Sequence, residues 1–181
     1  MPIKCSVYIA ASVDGFIAGP NGDIDWLHRP EYAASALKGL SYTDFIATVD
    51  ALVMGRNSYE KVLSFDGWPY AETPVVVLSR KGVAIPEHLR GKVRVESGAP
   101  EEIVARLADE GKQHLYIDGG VTIQRFLQAR LIDEMTITQI PILLGAGIPL
   151  FGDIGIEQTL RLIDATPSDN GFVQVRYALA L

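Results

Sequence analysis

Apolar and polar residues alternate at the start of the chain, where Ile3, Cys5, Val7, Ile9 and Ala11 interleave with Lys4, Ser6, Tyr8, Ala10 and Ser12. A period of two belongs to a strand whose faces meet different surroundings, so the first element is a β-strand. The next stretch, DGFIAGPNGDIDWL, holds three glycines and a proline and reads as a long loop. A loop of that length inside a compact fold is more often functional than idle. Helical spacing marks 31–48, 57–64, 101–111 and 122–129, the third opened by Pro100 close to a first helical position. Short apolar runs at 51–54, 74–79, 92–96 and 114–118 lie between them and predict strands. Such alternation predicts an α/β fold with parallel strands. The tail is β-rich over 134–144 and 172–179 without a helix-length segment between, so the sheet is expected to end in antiparallel strands.

Length and composition add limits. A chain of 181 residues, 48% hydrophobic and 21% charged, suits one folded unit, and no repeat or low-complexity linker divides it, so residues 1–181 are expected to form a single domain. A net charge of −6 argues against a general nucleic-acid binder, because sequence-independent affinity for phosphate backbones needs clustered Lys and Arg. Cys5, the one cysteine, has no partner for an internal disulfide and is expected to pack as a small hydrophobe. No apolar run approaches the ~20 residues of a membrane span, and no signal-peptide pattern opens the chain, so the default expectation is a cytoplasmic protein away from membranes.

Several chemistries can be set aside. Asn21, Asp23 and Asp25 alternate like the opening of a calcium loop, but Trp26 and Tyr32 stand where such loops need Gly and Glu. His28, His88 and His114 are too scattered for local metal-ligand spacing, so no metal site is expected. No GxSxG elbow occurs, and Gly145 and Gly147 have Leu150 where a third dinucleotide-binding glycine would stand.

Three junctions remain, each directly after a strand: Gly55-Arg56-Asn57-Ser58, Leu78-Ser79-Arg80 and Asp118-Gly119-Gly120-Val121-Thr122. Carboxyl ends of parallel strands share one side of a sheet, so these junctions can gather at one crevice. Gly119 and Gly120 allow close approach to backbone at a helix start, where free N–H groups attract anions. Arg56 and Arg80 add forked cationic donors, and Ser58 and Ser79 add hydroxyls. Together they point to a phosphate-bearing ligand.

The order KCSVYIAASVDGFIAG, VDALVMGRNSYE, PVVVLSR, LYIDGGVTIQRFL and a β-rich tail resembles the dihydrofolate reductase superfamily. It is most similar to the branch formed by the reductase domain of bifunctional riboflavin-biosynthesis proteins and their stand-alone relatives. The resemblance implies a mixed, predominantly parallel sheet of about eight strands flanked by helices. It also implies NADPH as cofactor and a small heterocycle of pteridine or pyrimidine type as substrate. By the same resemblance Gly55 ends the strand before Arg56, Arg56 meets the 2′-phosphate, and Ser58 lies near the pyrophosphate. Ser79 and Arg80 form the second wall of the adenosine site. Gly119, Gly120, Val121 and Thr122 lie under the pyrophosphate, while Ile123, Ala10 and Ile17 border the nicotinamide. The loop from Gly15 to Trp26 becomes a lid.

For the proton-handling carboxyl the nearest family match is Asp44, with Asp14, Asp25 and Asp50 close in sequence. Asp44 also suits a helix start, where Asp is favoured. One departure bears on substrate: riboflavin reductases carry an Asp-Pro stretch with a basic residue after the strand-ending glycine, and NSYEKVLSFDGW stands here instead. A second is Arg56, which that branch usually lacks. The alternative to a reductase is a module that binds NADP(H) without turnover. The apolar tail runs TITQIPILL and FVQVRYALAL also admit a homodimer, although their alternation reads first as core strands.

Overall fold

β-branched and apolar residues concentrate in two neighbouring interior strands, β3 (Ala51–Gly55) and β4 (Val75–Leu78), where every residue except Gly55 is buried. Continuous burial means that both faces of the sheet are covered. A computed structural model describes residues 2–33 and 35–180 and shows how. The remaining strands of the main sheet are β1 (Lys4–Ser12), β5 (Val93–Glu96), β6 (His114–Asp118), β7 (Glu134–Ile140), β9 (Leu160–Pro167) and β10 (Val173–Leu179). Their order is β5-β4-β3-β6-β1-β7-β10-β9, parallel from β5 to β7 and antiparallel at β10 and β9. This is the single α/β domain with a mostly parallel sheet that the pattern predicts. A small antiparallel pair, β2 (Phe16–Ala18) and β8 (Ile148–Pro149), stands apart from it.

Helices α3 (Pro100–Asp109) and α4 (Gly120–Gln128) cover one face, where Ile103, Leu107, Ile123 and Phe126 pack on Cys5, Val7, Val53 and Ile117. Helices α1 (Tyr42–Ile46) and α2 (Arg56–Leu63) cover the other, where Phe45, Tyr59 and Val62 pack on Leu52, Met54, Val75 and Tyr116. Cys5 is part of the first core, and burial pushes its thiol up to about 12, so it behaves as the expected small hydrophobe.

Three expectations need correction. The segment 31–48 is not one helix: a 3₁₀ turn occupies Pro30–Tyr32, and α1 starts only after Ser41, whose Oγ accepts the Asp44 N–H. Between them the backbone bonds elsewhere, Lys38 N–H donating to Ser168 Oγ and Leu40 N–H to Gln174 Oε1, with Gly39 at φ 101° turning the chain. Tertiary partners on β10 and the β9–β10 turn thus replace the helical ladder. Strand β7 stops at Ile140, since Pro141 follows and cannot donate to the ladder. The tail also contains β9, a further edge strand without an alternating pattern to announce it.

Candidate active site

Among the described residues, three of the four α-helices have no N-cap side chain bonded to the first turn, and two of them, α2 and α4, open on the same cleft. Helix α1 is capped by Ser41, and at α3 the Glu102 carboxylate accepts the Ala99 N–H at 2.9 Å. At α2 and α4 the N-cap residues are Gly55 and Gly119, neither of which has a side chain to bond the first turn. The first N–H groups of a helix and the positive end of its dipole then remain for a ligand. Strands β3 and β6 are neighbours, so their carboxyl ends bring these two helix starts side by side. The packing there is tight: a Cβ at Gly55 would meet Thr122 Oγ1 at 2.9 Å, and a Cβ at Gly119 would meet Ser58 Oγ at 2.5 Å. Gly119 moreover sits at φ 92°, which L side chains rarely adopt.

The cleft encloses about 1050 Å³ and runs from the carboxyl end of β1 across β6 and β3. That space exceeds what one small molecule needs, so it suits a dinucleotide with a second ligand. Ala10 and Ile17 line one end; Gly55, Arg56, Ser58, Gly119, Gly120, Val121 and Thr122 line the middle. The structure thus brings most of the predicted cofactor residues together. Ile123 is fully buried on the inner face of α4 and supports the cleft from the core instead of lining it. Ser79 and Arg80 also lie off the lining: the Ser79 hydroxyl donates to Gly82 O at 3.2 Å, and Arg80 is exposed beyond the end of β4.

Asp44 is not brought to the cleft. It lies exposed in the first turn of α1, outside the lining, which corresponds to the helix-start reading of this residue. Asp50 caps the chain at the other end of the sheet, accepting the N–H groups of Gln113 and His114, and Asp25 sits in a 3₁₀ turn. Asp14 acts as a mechanical tie, since its Oδ1 accepts from Ser12 Oγ and Leu144 N–H, and its Oδ2 from Gly145 N–H. These bonds hold its pKa below the ordinary carboxylate value, the Ser12 hydroxyl first among them. They join the β1–β2 turn to the segment before β8, fixing the small β2–β8 pair over α4. A Cβ at Gly120 would reach the Pro149 carbonyl of that pair at 2.9 Å.

Two carboxyls line the cleft, Glu60 on α2 and Asp118, the last residue of β6, and Asp118 is the one set among aromatic side chains. Burial pushes its pKa up to about 6, opposed by a hydrogen bond from the Gly119 N–H. Tyr8, Tyr70 and Tyr116 line the same region, and Tyr42 lies near enough that Asp118 raises its pKa. The Tyr116 hydroxyl donates to Tyr8 O at 3.0 Å, and that of Tyr8 donates to Leu40 O at 2.8 Å. Aromatic walls around one carboxyl suit a planar molecule that carries hydrogen-bond donors. The signal for these residues was present in the sequence: Tyr8 falls on the polar side of the β1 alternation, and Asp118 directly precedes the paired glycines.

A second cavity, of about 210 Å³, lies at the opposite end of the sheet beside Lys4, Ser6, His114, Glu134 and Arg176. Its charged groups pair with one another, while Arg176 Nε is buried without a hydrogen-bond partner. Glu134 accepts from Lys4 at 2.8 Å and Arg176 at 2.7 Å, and His114 Nε2 is 2.8 Å from Ser6 Oγ. Nδ1 lies 3.0 Å from the Thr48 carbonyl, which can only accept, so that nitrogen carries a proton; burial lowers the pKa of the ring and this bond opposes the shift.

The geometry coincides with family likeness. Residues 4–174 match the model of the RibD C-terminal domain. The chain belongs to that family. The YwjB protein of Bacillus subtilis (strain 168) is 37% identical over 184 residues, covering 99% of this chain and all of that one. A crystal structure of a putative riboflavin biosynthesis protein from Shewanella sp. PV-4 has a TM-score of 0.86 at 42% identity, covering 99% of this chain and 100% of the other. Dihydrofolate reductase from Enterococcus faecalis, complexed with NADP(H), has a TM-score of 0.61 at 19% identity, covering 98% and 97%, and shares the fold. Two uncapped helix starts flanked by Arg56 and Ser58 fit a phosphate-bearing ligand in this cleft.

Proposed function

We propose that this protein is an NADPH-dependent reductase that delivers a hydride to a small heterocycle of pteridine or pyrimidine type. The observation that carries the reading is the convergence of the α2 and α4 starts, both uncapped, with Arg56 at the edge of the same cleft. The helix-start N–H groups of Gly119 to Thr122 would hold the pyrophosphate, Arg56 the 2′-phosphate, and Ala10 and Ile17 the nicotinamide end. NADPH, when bound, supplies the hydride. The chain itself must orient the acceptor, exclude water and manage one proton. Tyr8, Tyr70 and Tyr116 offer faces for a planar ring, and the Asp118 carboxyl can accept from ring N–H groups or supply the proton. Nothing resembling an Asp-Pro stretch follows Gly55, which favours a heterocycle other than the phosphoribosyl substrate of riboflavin synthesis.

The test is binding and transfer together. The unmutated protein should prefer NADPH to NADH, and Arg56→Ala should weaken NADPH about ten- to a hundredfold while leaving NADH unchanged. Deuterium from labelled NADPH should appear in a pterin, folate or pyrimidine acceptor. Tight cofactor binding without transfer to any of them favours a non-catalytic NADP(H) module, and equal affinity for both cofactors removes the role of Arg56. The reading places the enzyme in the cytoplasm, and it includes a homodimer: β9 is an edge strand that leaves Leu160, Leu162 and Ile163 exposed.

A further inference from the structure

We propose that Glu60 is a positioning residue that holds the Arg56 guanidinium by one side and leaves its two terminal nitrogens free for the 2′-phosphate of NADPH. The inference rests on the reading of Arg56 given above. Arg56 opens α2, and Glu60 follows one helical turn later on the same side; both line the cleft. Their contact is specific in its atoms: Arg56 Nε lies 3.2 Å from Glu60 Oε1. A guanidinium has one N–H on Nε and four on its terminal nitrogens. An ion pair made through Nε does not require the forked end, whose spacing matches two phosphate oxygens.

With the two side chains 45% and 55% exposed, the pair contributes little to stability, as is usual for an ion pair in water. Its consequence is conformational. An unrestrained arginine loses rotamer freedom when it grips a ligand, and a partner that restrains it beforehand reduces that loss. The charge of Glu60 acts in the other direction, because a carboxylate beside a phosphate repels it. Geometry and charge can be separated by substitution. Glu60→Gln retains an oxygen to accept from Nε and removes the charge, whereas Glu60→Ala removes both.

Dissociation constants for NADPH and NADH, measured by cofactor fluorescence on the full chain, test this in the unmutated protein, Glu60→Ala, Glu60→Gln, Arg56→Ala and the Arg56→Ala/Glu60→Ala double variant. Circular dichroism establishes that each is folded. Glu60→Ala should weaken NADPH about three- to tenfold and leave NADH unchanged, on the scale of ordering one long side chain. Glu60→Gln should restore or exceed the original NADPH affinity, and Glu60→Ala should have no effect in the Arg56→Ala background. The inference is overturned if Glu60→Ala leaves NADPH affinity unchanged or raises it, if both cofactors weaken equally, or if Glu60→Gln is as poor as Glu60→Ala. Arg56→Ala distinguishes the two levels. Lost NADPH preference there with a silent Glu60→Ala removes only the role of Glu60; retained preference there removes the reading of Arg56 and this inference with it.

Discussion

Asp118 shows how one buried carboxyl links stability with chemistry. Its folded pKa of about 6 lies above the ordinary 3.8, so the folded state binds this proton more tightly than the unfolded chain does. Stability from this group is therefore greatest below pH 4 and declines as the pH rises through 6. Asp118→Asn, which carries no ionisable proton, should stabilise the fold at pH 7 by about 1–3 kcal/mol and leave it unchanged near pH 4, as urea titrations at both values would reveal. The same variant should lose activity. If Asp118 supplies the proton, the rate of the unmutated enzyme falls as pH rises above about 6, and Asp118→Asn removes that dependence along with ~10²–10⁴-fold of the rate. A profile unaltered by the substitution would assign the proton to solvent. Asp44→Asn, by contrast, should change neither cofactor affinity nor reduction rate, since Asp44 lies exposed outside the cleft lining. Sequence matching favoured Asp44 because a carboxyl on the helix before β3 is the family pattern. The early helix proved short, and the cleft carboxyl set among aromatic side chains ends a strand instead.

Elements were legible wherever local pattern and tertiary environment agree. The VVVL of β4 and the LYID within β6 are buried on a covered sheet, and α3 and α4 follow their apolar spacing closely. Segment 31–48 failed that condition because backbone partners from β10 and the β9–β10 turn, invisible in a local window, outcompete the helix. The helix starts of the site were legible for a physical reason: glycine at the end of a strand leaves a cap empty, and Gly55 and Gly119 both do so. What could not be read is the contact of Gly120 with the β2–β8 pair, which depends on β8 returning from the far end of the sequence. That contact revises what a substitution there means. Gly120→Val would press on the Pro149 carbonyl, Ile148 and Ile17, so it should displace the β2–β8 pair as well as crowd a phosphate. NADPH affinity should fall at least tenfold with the main sheet intact, which calorimetry and circular dichroism can test on one sample. Unchanged affinity would make the Gly119-Gly120 turn merely structural.

At the scale of the whole molecule the two edges of the sheet are treated differently. Edge β5 carries Arg94 and Glu96, which are tied into ion pairs with Glu110 and Arg106, and charged edges discourage further strand pairing. Edge β9 also carries charges, Arg161 and Asp164, but it leaves large apolar side chains exposed beside them. Leu160 and Leu162 pair with Leu179 and Tyr177 of β10, so the four side chains form an apolar strip on one face, and the bulge at Arg176/Tyr177 leaves Ile163 exposed as well. Leu162 alone is 55% exposed. An apolar strip beside an open edge is unfavourable in water, and in the proposed homodimer a second copy of the chain, presenting the same strip across a two-fold axis, would cover both at once. Light scattering at tens of micromolar should therefore give twice the chain mass, and Leu162→Lys should give the monomer, because a buried unpaired ammonium opposes association. Neither Leu162 nor any other residue of β9 lines the cleft, so NADPH affinity should persist in the monomer. A monomeric unmutated protein would remove the dimer from the reading and leave the reductase untouched.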